Sequence, residues 1–187
     1  MKTTYPIILG GVKRQLPLCR LNDDLKIGAF VILGDYELTE ACARELAKSA
    51  PSHDYILTAE CKGIPLVHEM AKILKEEKHF IVRKKPKLYM QGVFSANVNS
   101  ITTEGDQILY LDTADAELIK GKKILIVDDV ISTGESLLAL EKLVELAGGE
   151  VAGKMAILAE GDAYKRDDII YLEKLPLFNN EGEPIEA

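Results

Sequence analysis

Lys123-Ile-Leu-Ile-Val-Asp-Asp-Val-Ile-Ser-Thr-Gly-Glu-Ser136 is the stretch that decides the fold. After Lys123, Ile124 to Val127 form a continuous aliphatic run, as expected of a strand over 123–127 covered on both faces. The run ends in two adjacent acids, Asp128 and Asp129. A short hydroxyl-bearing loop with Gly134 follows, and the spacing predicts a helix over 135–146, stopped by Gly148-Gly149. In an open α/β sheet, ligands sit beyond the carboxyl ends of strands, near helix N-termini. Backbone N–H groups in such a loop, with the helix dipole behind them, favour a phosphate. Thr133 and Ser136 add hydroxyl donors, and Gly134 lets the backbone approach closely. Carboxylates accept hydrogen bonds from vicinal hydroxyls, so the acid pair suits a ribose. The local chemistry reads as a ribose 5-phosphate pocket. A Walker loop is excluded, because no G-x-x-x-x-G-K-[ST] occurs.

Outward from this segment, short β-rich runs alternate with helical patterns, which predicts a doubly wound α/β architecture with a mostly parallel sheet. Helices are expected over 38–49, between Thr39 and Pro51, and over 65–77, with Pro65 tolerated in the first turn. Strands are expected over 55–58, 79–83, 107–112, 151–158 and 169–172, and one helical turn over 115–119. From Lys84 to about Glu104 periodicity is lost and Gly, Ser and Asn accumulate, which reads as a long mobile loop. The tail from Asn179 reads as frayed. With 187 residues and no internal repeat, the expectation is a single domain over 1–187.

Composition narrows the function further. Lys and Arg number 23 against 30 Asp and Glu, a net charge of −7, which repels nucleic acid and anionic membrane. Trp is absent and aromatics are 6%, against a base-stacking platform for single strands. Cys19, Cys42 and Cys61 form no C-x-x-C pair and are read as small buried thiols. His53, His68 and His79 lack metal spacing and are read as structural. The N-terminal apolar stretch is too short for a signal peptide, and no run approaches the ~18 residues of a membrane span. The expectation is a cytoplasmic protein.

Residues 124–136 closely resemble the phosphoribosyl pyrophosphate (PRPP) signature of the type I phosphoribosyltransferases, and the likeness extends over roughly Tyr55 to Glu160. Thr58-Ala-Glu-Cys-Lys-Gly63 resembles that family's pyrophosphate loop. Arg83-Lys84-Lys85-Pro86-Lys87-Leu88 resembles the basic segment of its adenine and xanthine branches. The resemblance implies the family's fold, with a small hood formed from about residues 1–37 plus part of the C-terminal segment, and a flexible lid. It implies that Asp128 and Asp129 hold the ribose hydroxyls, one near the charge developing at C1. Val130, Ile131, Ser132, Thr133, Gly134, Glu135 and Ser136 complete the PRPP site, with the 5-phosphate held from Ser132 onward. Glu60, Cys61, Lys62 and Gly63, with Arg83, Lys84 and Lys87, are the implied pyrophosphate site. Glu104, in the lid, is the candidate for proton transfer with the base. Phe30 and Val31 in the hood are the candidate base contacts. Mg²⁺ is the implied cofactor, with no protein ligand assigned, and a homodimer the implied assembly.

By the same resemblance the activity is transfer of the phosphoribosyl group of PRPP to a purine, in purine salvage. Two departures pull on the base. The span between Lys87 and Asp112 is longer than adenine enzymes usually carry and resembles xanthine enzymes and purine-operon repressors. The apolar Val31-Ile32-Leu33 after Phe30 departs from the polar hood of xanthine enzymes, which favours adenine. A xanthine or other 6-oxopurine enzyme, and a non-catalytic PRPP-binding regulator, are the alternatives.

Overall fold

The computed structural model describes residues 2–90, 92–98 and 107–185. The chain opens with a hairpin, β1 (Thr4–Leu9) against β2 (Val12–Arg20), with Leu9 opposite Val12. Gly10 and Gly11 turn it with φ of +56° and +83°, the left-handed backbone that a two-residue hairpin turn requires. β3 (Lys26–Gly28) adds to β2, and α1 (Tyr36–Ser49) follows. Asp35 caps α1, its carboxylate accepting from the Leu38 N–H at 3.2 Å. Leu38, Cys42 and Leu46, four residues apart, make the buried stripe of that helix. Ala50 is extended (ψ 126°), as the residue before Pro51 must be, and the helix ends there.

Then come β4 (Tyr55–Ala59), α2 (Gly63–Leu74) and β5 (His79–Val82). An antiparallel pair, β6 (Val93–Val98) with β7 (Gln107–Asp112), leads into α3 (Thr113–Ile119). β8 (Lys123–Ile131), α4 (Glu135–Leu146) and β9 (Glu150–Glu160) are followed by a 3₁₀ turn, Gly161–Lys165. β10 (Ile170–Leu175), β11 (Leu177–Phe178) and β12 (Pro184–Ile185) complete the chain.

β10, β9, β8, β4 and β5, in that order, form a parallel sheet with β8 at its centre. The aliphatic run explains that position. Ile124 and Ile126 pack into one cluster, with Leu140, Leu143 and Val144 of α4 and Leu109 and Leu111 of β7. Leu125 and Val127 point the other way, into a cluster with Leu46 of α1, Leu66 and Met70 of α2, and Leu9 and Leu16 of the hairpin. All four have no exposed surface. Each such side chain stabilises the fold by roughly 1.5–3 kcal/mol, which is why a polar residue is not found until Asp128. The fold class expected from the sequence is therefore observed.

The second sheet, β1-β2-β3-β11-β12, is the hood, and it joins the first residues of the chain to the last. Phe178 pairs with Lys26 across it. Three differences from the sequence reading follow. The segment from Asn179 is not frayed, since β12 pairs with β11. The expected loop over 84–104 contains β6, while residues 91 and 99–106, with Glu104 among them, lie outside the described residues. Of the three thiols only Cys42 is buried; Cys19, near the end of β2, and Cys61, in the loop after β4, are exposed. No helix among the described residues is long and apolar enough to cross a membrane.

Candidate active site

β8 runs on past Val127 to Ile131, so the acid pair lies within the strand rather than beyond it. Pairing continues on the β9 side, where Val130 faces Leu158 and Ile131 faces Ala159. On the other side β4 ends at Ala59, and its last paired residue, Leu57, faces Ile126. The acids thus stand at a step in the sheet, where one neighbour stops and the other goes on. Asp129 is buried and Asp128 half-buried. Lys62, the residue before α2, reaches across the step to Asp129, with Nζ to Oδ2 at 2.6 Å. Asp128 accepts from the Asp129 N–H at 2.8 Å. Burial, and then the adjacent Asp129 charge, push the Asp128 carboxyl up to about 7.

Gly63 opens α2 directly against this pair. A Cβ there would lie 2.2 Å from Thr58 Oγ1 and 3.3 Å from Asp128 Oδ1. The residue is needed for space, so that the first turn of the helix can close on the strand ends.

Beyond β8 the loop turns at Gly134 (φ +84°), and α4 begins at Glu135. Asp128, Val130, Ile131, Ser132, Thr133, Gly134, Ser136 and Leu137 enclose a cavity of about 110 Å³. The first N–H groups of a helix have no partner within it, and here the Glu135 N–H donates to Thr133 Oγ1 at 3.5 Å, drawing the loop hydroxyl to the end of α4. The segment that the sequence marks as a phosphate cradle is therefore a cavity at a helix N-terminus.

The second loop leaves β4 at Ala59. Its Glu60–Cys61 peptide is cis, and the Glu60 N–H donates to the Val82 carbonyl of β5 at 2.8 Å. The Glu60 carboxylate accepts from the Lys84 N–H at 2.7 Å and from Arg83 Nη1 at 3.2 Å, with Lys87 Nζ at 3.6 Å. Burial works to raise this carboxyl, but the Lys84 N–H and the Arg83 and Lys87 cations outweigh it and hold the group below the ordinary glutamate range. The structure so brings Glu60, Arg83 and Lys87 together, and Lys62 to the acid pair. The side chain of Lys84 is left exposed, and only its backbone takes part.

The two candidate base contacts separate. Phe30 is 5% exposed and packs with Ile7, Leu9, Leu16 and Ile32, so its ring is part of the core beneath the hood and not a free stacking face. Val31 is 59% exposed. Both lie past the end of β3, where the chain turns one inward and the other out. What sequence reasoning missed is the attachment of the hood. Arg14 of β2 grips Asp35 with two bonds, Nε to Oδ2 at 2.6 Å and Nη2 to Oδ1 at 2.8 Å, and also reaches Glu37 at 2.8 Å. An Arg in an alternating strand and an Asp opening a helix are separate local signals, and only the fold joins them.

No group of three or more His, Cys, Asp or Glu suited to hold a metal occurs among the described residues. The donors at hand are the carboxylate oxygens of Asp128 and Asp129. Such a sparse set of hard oxygen ligands fits Mg²⁺, which keeps several waters and is bound through one or two carboxylates plus substrate phosphates.

The Phosphoribosyl transferase domain family matches residues 35–182. Among curated proteins, the hypoxanthine/guanine phosphoribosyltransferase of Methanosarcina mazei is 38% identical over 112 residues, 59% of this chain and 54% of that protein. That of Methanococcus voltae is 29% identical over 125 residues, 67% of this chain and 63% of that protein. The chain thus spans less than two thirds of the length of these relatives. Among solved structures, the adenine phosphoribosyltransferase of Thermoanaerobacter pseudethanolicus superposes with a TM-score of 0.64 at 23% identity, covering 92% of this chain and 95% of that one. The Saccharomyces cerevisiae enzyme, complexed with an imino-altritol bisphosphate and adenine, gives 0.58 at 21% identity over 91% and 94%. The structural likeness shows the fold, and the match over 35–182 shows descent: the chain belongs to the type I phosphoribosyltransferase family.

Proposed function

We propose that the protein transfers the 5-phosphoribosyl group of PRPP to a purine base, releasing pyrophosphate and a nucleoside monophosphate. The observation that carries this reading is the step in the sheet at Asp128-Asp129, with a phosphate-sized cradle on one side and a cationic loop on the other. Asp128 and Asp129 take the ribose hydroxyls, and the loop Ser132–Ser136 takes the 5-phosphate. A ring nitrogen of the base forms its bond to C1 as the bond from C1 to the pyrophosphate oxygen breaks. Positive charge accumulates at C1 on the way, and buried carboxylate near it stabilises that charge. Lys62, Arg83 and Lys87 receive the departing pyrophosphate, and Glu104 remains the candidate for the proton of the base. Mg²⁺ supplies neutralisation of the pyrophosphate, with Asp128 and Asp129 as the residues to hold it.

The purine is set by the hood. Hypoxanthine and guanine are the first acceptors to test, since the curated relatives at 29–38% identity carry those names, whereas the adenine enzymes share only 16–23%. Adenine is the second, supported by the exposed apolar Val31 and Leu33 after Phe30. A homodimer in the cytoplasm, with one domain per chain, completes the proposal. The deciding assay is pyrophosphate release from PRPP and Mg²⁺ with each purine in turn. Release with one base, lost in the Asp128→Asn/Asp129→Asn double variant, supports the reading. PRPP binding without release for any purine supports a regulator instead.

A further inference from the structure

Between Asp128 and Ser136 the chain carries three acids, Asp128, Asp129 and Glu135, and no Lys or Arg. A phosphate dianion placed there meets like charge, and helix amides alone offer a field equivalent to about half a charge. A cation from elsewhere in the fold would change that balance, and the structure delivers one. Arg166 follows the 3₁₀ turn after β9, the strand beside β8, and its guanidinium lies against Gly134. Nη1 is 2.5 Å from where a Cβ of Gly134 would stand. Gly134 also lines the 110 Å³ cavity, so cation and cradle share that residue.

The orientation of Arg166 is fixed from behind. Nε and Nη2 donate to Asp168 Oδ1 and Oδ2 at 2.9 and 2.8 Å, a two-point fork. Asp168 is held in turn by Lys154 Nζ at 2.5 Å, and Lys154 by Glu141 of α4 at 3.2 Å. The fork uses one edge of the planar guanidinium and leaves Nη1 as the edge turned to the loop. A guanidinium so pre-positioned loses little conformational freedom when it binds phosphate oxygens.

We propose that Arg166 is the side-chain cation of the 5-phosphate site, and that it sets the preference for phosphorylated over unphosphorylated ribosyl ligands. The proposal rests on the reading of 132–136 as the 5-phosphate loop. Gly134 is required already by its φ of +84°, and a Cβ there would also press on the guanidinium.

Calorimetric titration of the full chain with ribose 5-phosphate, PRPP and inorganic pyrophosphate tests it, in wild type, Arg166→Lys and Arg166→Gln. The expected result is affinity for ribose 5-phosphate and PRPP reduced tenfold or more in Arg166→Gln, and less in Arg166→Lys. Pyrophosphate affinity stays as in wild type, because its site is the other loop. A role confined to holding the 3₁₀ turn would lower the melting temperature while leaving the ligand preferences alone, and that pattern overturns the proposal. Should Arg166→Gln fail to fold, Asp168→Asn keeps the cation and weakens its fork, and unchanged ribose 5-phosphate affinity in that variant overturns the proposal equally. If wild type binds pyrophosphate but neither sugar phosphate, it is the reading of the loop that falls, and Arg166 with it.

Discussion

Gly63→Ala is a substitution that favours the helix and should nevertheless destabilise the protein. Alanine is preferred over glycine inside a helix by about 1 kcal/mol, so on propensity alone the change stabilises α2. The space is missing. The new Cβ would stand 2.2 Å from Thr58 Oγ1, and Thr58 is fully buried, so its hydroxyl has no open rotamer to retreat into. Forcing a methyl into a packed site costs about 1–3 kcal/mol, a contact at 2.2 Å belongs to the upper half of that range, and after the helix gain the net expectation is a loss of about 1–2 kcal/mol. For a chain of this size that lowers the melting temperature by about 2–8 °C. Thr58→Ala in the same chain removes the atom at 2.2 Å and leaves the Thr58 Cβ at 3.4 Å, an ordinary contact. The double variant should therefore be more stable than the sum of the two single changes predicts, by about 1 kcal/mol or more. Urea denaturation of the four proteins measures this coupling. Equal stability of Gly63→Ala and wild type, or additivity in the cycle, would refute the argument that space, and not backbone conformation, requires glycine here.

The remaining expectations concern charge and capping. A carboxyl whose folded pKa is raised stabilises below its unfolded value and loses that contribution as pH rises through the folded one. With Asp128 at about 7 in the fold, wild type should lose about 2 kcal/mol relative to Asp128→Asn between pH 5 and 7, and a pH-independent difference in melting temperature would contradict this. Asp35, held low first by its bonds from Arg14, has the opposite sign: its contribution is present above the ordinary carboxylate range and fades in acid. Asp35→Ala removes both the cap and the Arg14 fork, whereas Asp35→Asn keeps a capping oxygen. The alanine variant should be the less stable of the two by about 1 kcal/mol, read from urea midpoints. Glu60→Gln keeps an acceptor for the Lys84 N–H but releases Arg83 and Lys87. Pyrophosphate affinity should rise about fivefold, following the roughly 1 kcal/mol of a partly exposed ion pair, and an unchanged or weaker affinity by calorimetry would argue against those cations as pyrophosphate ligands.

The sheet was legible because its centre is written in one short segment. Ile124 to Val127 must be covered on both sides, and the helices on either side of β8 carry the stripes that cover it. The hood was not legible, because its pairing is non-local: β3 meets β11 about 150 residues away, through the single pair Lys26 and Phe178. One local signal was there to use. Gly10-Gly11 is a two-residue turn pair between the β-rich run Tyr5–Leu9 and the residues from Val12 on, and that is a hairpin signal rather than the end of an apolar stretch. The burial of Phe30 was hidden for a related reason: its ring packs with Ile7, Leu9 and Leu16 of the hairpin, neighbours that only the assembled hood brings to it.

The cations of the site show what composition cannot. Arg83, Lys84, Lys85 and Lys87 look in sequence like an uncompensated basic cluster, yet Arg83 and Lys87 close on Glu60, and Lys62 closes on Asp129. A buried carboxylate such as Asp129 without a counter-charge is costly, so the fold itself needs Lys62 where it stands. An incoming anion therefore competes with acids for cations already in place. That competition lowers the net gain of anion binding and raises the worth of any charge that accompanies the ligand. Asp129, with Asp128, would be the residue to hold a divalent cation that came with the phosphates, and such a cation would supply the counter-charge that Lys62 now provides. Sparse protein donors for a metal and internally paired cations are thus two sides of one arrangement, in which anion and metal each make room for the other.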